Sequence, residues 1–144
     1  MSYRRYILPP MSDDLPARDG HILRYVTVTA ARDGSSRFDD LTVRLAQTTV
    51  AAGMPSMLVG TLSGATELVY LRSDEFDSRP HPAPRRQWVV MLRGGIEVET
   101  TDGERRQFWP GDLLLAADTS GRGHITRAVG TGPHEALFVP LPEV

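Results

Sequence analysis

The chain of 144 residues contains no cysteine, which excludes disulfides, thiolate nucleophiles and thiolate metal sites together and fits a reducing compartment. No apolar run approaches the ~20 residues of a membrane span, and the first residues do not combine a basic segment, a hydrophobic stretch and a small-residue cleavage site. The expectation is a soluble, cytoplasmic protein. Charge of one sign is also missing: 16 basic residues against 18 acidic ones leave a formal charge of -2. The arginines are scattered, in pairs at most, so nothing argues electrostatically for nucleic acid or an anionic membrane as partner. There is no internal repeat and no convincing long helix, and the length suits a single domain with one core.

What is present is a series of short extended segments. Residues 1–20 hold Pro9, Pro10 and Pro16 among acidic residues and read as an irregular arm, with 21–144 as the folded domain. Strands are expected over His21–Thr29, Phe38–Val50, Met57–Leu62 and Thr66–Arg72, although Phe38, Leu41 and Leu45 also fit one helical face. Trp88–Leu92 is nearly continuous in apolar residues, as in a strand covered on both faces. Arg-Gly-Gly at 93–95 turns the chain into Ile96–Thr100, and Asp-Gly at 102–103 marks a tight hairpin into Arg105–Trp109. Pro-Gly-Asp at 110–112 forms a corner before Leu113–Ala117; His124–Val129 and Glu135–Val139 complete the set. Strands of about five residues separated by Gly and Pro argue for an antiparallel sandwich or barrel.

The chemistry is expected between Arg79 and Arg127. R-P-H-P-A-P-R-R-Q at 79–87 and G-R-G-H-I-T-R at 121–127 place His81 and His124 on different strands that would meet inside one barrel. Alternation puts Gln87, Val89 and Met91 on one face and Trp88, Val90 and Leu92 on the other. If Gln87 faces the pocket, Met91 lines its floor. Glu67 and Tyr70 lie on opposite faces of their strand, so at most one points inward. His21 and His134 match no motif and read as surface or edge residues.

Over roughly residues 60–140 the chain resembles the cupin superfamily. His81 falls in the first histidine place of the first cupin motif, Ala83 in the second histidine place, Gln87 in the glutamate place and Gly94 in the closing glycine place. In the second motif Gly111 aligns with the opening glycine and His124 with the histidine; Ala117 holds the proline place, and the intervening loop is about two residues longer. H-P-A-P-R-R-Q followed by P-G-D and a G-x-G-H segment is similar to a group of small bacterial single-domain cupins to which we attach no activity. The resemblance implies a double-stranded β-helix, or jelly roll, and a homodimer for which the proline-rich arm is a plausible crossing element.

Three functions follow as alternatives. In the first, His81 and His124 act as general acid and base on a small molecule, because imidazole titrates near neutrality. Arg85 or Arg86 would clamp a carboxylate, enolate or phosphate, and the reaction would be an isomerisation, cyclisation or lyase step. In the second, His81, His124 and Gln87, with Asp118 as a possible carboxylate, bind a divalent transition metal (Fe, Mn, Ni, Zn or Cu), giving an oxygenase or lyase with a reduced ligand set. In the third, the pocket binds a small ligand without catalysis. The first is the leading expectation, with metal optional.

Overall fold

Alternating apolar and polar side chains are realised as eleven strands in a computed structural model that describes residues 21–49 and 51–143. The arm expected over 1–20 lies outside the described residues. Among these residues the fold is all-β, and no helix is long and apolar enough to cross a membrane.

The chain forms two compact units. The smaller, within residues 21–24 and 42–63, contains the hairpin of β3 (Ala46–Thr48) and β4 (Met57–Val59), paired Ala46 to Val59, with Met54, Met57 and Leu58 exposed. The larger, within 25–41 and 64–144, carries the remaining strands. These are β1 (Ile22–Ala30) and β2 (Ser36–Arg44) from residue 25 to 41, then β5 (Val69–Ser73), β6 (Gln87–Arg93) and β7 (Gly95–Glu99). β8 (Arg105–Phe108), β9 (Leu114–Ala116), β10 (Ile125–Val129) and β11 (His134–Pro140) follow.

One sheet has the order β2-β1-β9-β6-β11-β5, the other β10-β7-β8. Two of the three turns singled out between Trp88 and Leu113 carry the chain from one sheet to the other. Arg-Gly-Gly leads from β6 to β7, and Pro-Gly-Asp leads from β8 back to β9. At the second corner the Asp112 carboxylate accepts from the Trp109 amide at 2.8 Å, and the Asp112 amide donates to the Trp109 carbonyl at 2.9 Å. Asp-Gly at 102–103 closes the β7–β8 hairpin as expected, with Glu99 opposite Arg105.

One pairing departs from the expected antiparallel pattern. β1 and β9 run parallel, Val26 opposite Leu114, so the larger sheet is mixed. β9 enters from the other sheet and not from a hairpin with its neighbour, so local connectivity does not dictate its direction. The two sheets are not closed into one continuous barrel among the described residues.

Both sheets contribute to one core. Val28, Val89, Met91, Leu114 and Ala136 come from the larger, Ile96, Val98 and Phe108 from the smaller. The alternation in β6 is as read: Gln87, Val89 and Met91 face the interior, while Trp88 sits on the opposite face, edge-on to Tyr25 with ring centroids 5.0 Å apart. β7 shows the same division, with Ile96 and Val98 inward and Glu97 and Glu99 outward against Arg105 and Arg127.

His134 corrects an expectation. It is fully buried rather than at a surface or edge. Its Nε2 donates to the Val129 carbonyl at 2.9 Å, its ring meets Phe76 edge-on, and the space it occupies exists because residue 94 is glycine; a Cβ there would lie 2.5 Å from the imidazole.

Candidate functional site

Inside the larger unit, between the apolar faces of its two sheets, lies a cavity of about 440 Å³. Aliphatic and aromatic side chains form most of its wall. The polar groups on it are Ser73, Glu75, Asp77, His81, Gln87, His124 and Thr126.

The two histidines are brought together by their own backbones. His81 and His124 form an isolated antiparallel bridge, each amide donating to the other's carbonyl at 3.1 Å. Their ring centroids stand 5.5 Å apart at 45°. Such a narrow approach requires glycine before His124. Gly123 has φ +74°, and a Cβ on it would fall 2.1 Å from the His81 carbonyl. The loop from Asp118 to His124 is fixed along its length: the Asp118 carbonyl accepts from the Ala83 amide at 3.0 Å, the Arg122 amide donates to Gly34, and the Gly123 carbonyl accepts from the Ser36 hydroxyl at 2.6 Å.

Each imidazole is oriented through Nδ1. His124 Nδ1 lies 2.5 Å from Asp118 Oδ2, and both residues are buried. His81 Nδ1 lies 2.9 Å from the Arg79 carbonyl oxygen. A backbone carbonyl only accepts, as does an ionised carboxylate, so in each neutral ring Nδ1 carries the hydrogen and Nε2 carries the lone pair. Neither Nε2 makes a hydrogen bond among the described residues. Both rings line the cavity.

Gln87, at the start of β6, is 4% exposed and also lines the cavity. Its side-chain amide makes no hydrogen bond among the described residues, so it does not tie down either histidine. Ala83 contributes a buried methyl group to the same wall. Met91 lies on it as expected.

Two expected roles are not realised. Arg85 does not line the cavity: it is half exposed and pairs with Glu67 at 3.2 Å, and Arg86 is exposed. The turn before β6 directs both guanidinium groups away from the interior, so neither clamps an anion there. Asp118 does not stand beside the histidines as a third donor; it is spent on His124 Nδ1, with its Oδ1 buried and without a partner. Neither Glu67 nor Tyr70 reaches the cavity, and Tyr70 instead bonds Glu135.

The donor set bears on a resident metal. Among the described residues no three His, Asp or Glu side chains converge on a common point. Two imidazoles and an amide supply no anion to offset a divalent charge, and such a set does not fit a tight site.

Sequence reading missed two features. One is Gly123, whose motif position gave no sign of the close backbone approach. The other is the acidic side of the wall: Glu75 and Asp77 lie between strands, where neither periodicity nor motif spacing points at a cavity. No protein-family model and no curated protein matches the chain.

Proposed function

We propose that the chain is a cupin-type, jelly-roll small-molecule enzyme that moves a proton on a ligand held in this cavity, in an isomerisation, cyclisation or lyase step. His124 is the base, and His81, once its Nε2 has taken a proton from solvent, is the imidazolium that completes the transfer by giving that proton to the ligand. The observation that carries the reading is the pair of imidazoles with Nδ1 engaged and Nε2 unpartnered at the wall of an apolar cavity. His124 is assigned as base because a buried carboxylate stands behind it, stabilising the imidazolium that forms on proton capture. His81 is held by a neutral carbonyl and partly exposed, which suits a group that exchanges its proton with solvent. Ala83 in place of a second first-motif histidine, and Gln87 in place of the glutamate, fit a cupin pocket that works without a full ligand set.

The test is base-promoted ring opening of 5-nitrobenzisoxazole, a neutral apolar probe that reports a base in a low-dielectric pocket. Wild-type protein should exceed the buffer rate by roughly 100-fold, the scale of general base catalysis. His124→Ala should return the rate to that of buffer while circular dichroism remains unchanged. Wild-type protein no faster than His124→Ala would refute the acid-base role and leave ligand binding without catalysis.

A further inference from the structure

Among the described residues the cavity wall carries charge of one sign only. Glu75 and Asp77 line it, and Asp118 stands directly behind His124, but no arginine among the described residues lines it and the chain contains no lysine. Asp77 is matched by Arg79 at 2.7 Å; Glu75 has no cationic partner among the described residues. A carboxylate or phosphate entering this space would give up water and meet no guanidinium in return. The remaining wall is set by groups such as Val89, Met91, Val98 and Phe138, which favour hydrocarbon. Set into that wall is one neutral, buried and unpartnered amide, Gln87, offering both donor and acceptor.

We infer that the ligand of this cavity is an uncharged, largely hydrophobic molecule with a single hydroxyl or carbonyl group, which bonds the Gln87 amide and faces His124 Nε2. The inference rests on the acid-base reading for which ligand group meets His124. The selection against anions follows from the wall alone; a cation is disfavoured only by the cost of burying it among apolar groups. The volume of about 440 Å³ gives room for roughly two to three fused rings. The class excluded is the anionic one that an arginine clamp would have served.

The experiment uses the full chain labelled with ¹³C-methyl methionine. Met91 is the reporter, its resonance assigned by its loss in Met91→Leu. 2-Naphthol, 2-naphthoate and 2-naphthylmethylammonium are titrated at pH 7.5, alike in their aromatic body and different in charge. The expected result is that 2-naphthol shifts the Met91 methyl with a dissociation constant at least tenfold below that of either ion, and that Gln87→Leu weakens 2-naphthol several-fold. Equal or tighter binding of 2-naphthoate overturns the inference. A preference for the ammonium overturns it too, as does the absence of a Met91 shift with all three probes. The two readings fail separately: 2-naphthol bound selectively by a protein that does not open 5-nitrobenzisoxazole supports the ligand class and sinks the base.

Discussion

A methyl group added at Gly123 would sit 2.1 Å from the His81 carbonyl, on a residue whose φ of +74° already disfavours a side chain. The backbone there must separate, and with it the bridge that sets the two imidazoles side by side. Gly123→Ala should cost about 2 kcal/mol or more in urea unfolding, with loss of the His81–His124 ring proximity in nuclear Overhauser spectra. Asp118 makes a different demand. In Asp118→Asn the amide can present its NH₂ to Nδ1, favouring the tautomer with hydrogen on Nε2 and so removing the base while keeping the shape. Turnover of 5-nitrobenzisoxazole should fall by roughly 100-fold with little change in the unfolding midpoint. Asp118→Ala leaves a buried N–H without an acceptor and should lose stability as well, by about 1–3 kcal/mol. A midpoint that falls equally in both variants would argue that Asp118 acts only as a packing element.

At the scale of strands, the outer end of the β5–β11–β6 ribbon is pinned by Glu135. Tyr70 donates to it from β5, Arg72 reaches it at 3.0 Å, and Arg93 reaches it from β6 at 3.1 Å. The Tyr70 hydroxyl first, then the Arg72 and Arg93 guanidinium groups, hold the Glu135 carboxyl below its ordinary range. A carboxylate depressed in the folded state contributes stability above its unfolded value, about pH 4.3, and loses it as the pH falls through the lower folded value. Glu135→Gln should therefore lower the melting temperature at pH 7, and the gap from wild type should narrow as the pH falls below the unfolded value. Because the cluster is open to solvent, the gap should also shrink in 1 M salt. A gap that stays constant with falling pH and with added salt would assign the effect to packing and not to charge. These elements were largely legible in the sequence. β-branched alternation and the Asp-Gly and Pro-Gly-Asp turns marked β6 to β11 within a residue or two. What escaped was long-range: the parallel β1–β9 pairing joins segments 88 positions apart, and His134 is buried by a space at Gly94 that no periodicity records.

For the whole molecule, the question is which charges reach the interior. His81, Gln87 and His124 line one cavity: Gln87 by its place at the start of β6, and the two histidines by an isolated backbone bridge outside the named strands. The sequence did not show where flexible side chains go: Arg85 turned to Glu67, and Asp118 to the back of His124. Those two placements shape the test of the chemistries that the sequence left open. With Asp118 engaged at Nδ1 and Gln87 neutral, the two imidazoles have no carboxylate grouped with them as a third ligand, and Glu75 and Asp77, although on the cavity wall, belong to no cluster of three ligand types among the described residues. Untagged protein should therefore hold well under one equivalent of Fe, Mn, Ni, Zn or Cu by inductively coupled plasma mass spectrometry, before and after incubation with excess metal and desalting. Turnover of 5-nitrobenzisoxazole should be unchanged by a chelator. Near-stoichiometric metal that disappears in both His81→Ala and His124→Ala would mean that the two Nε2 lone pairs serve a Lewis acid, with Asp118 and the Arg79 carbonyl orienting the ligands from behind. The same hydrogen bonds would then tune a metal instead of a base, and replacing Gln87 by glutamate should tighten that metal by adding the missing anion. If the imidazoles work alone, Gln87→Glu should gain no metal and should weaken a neutral ligand, since the amide's donor would be exchanged for a buried charge.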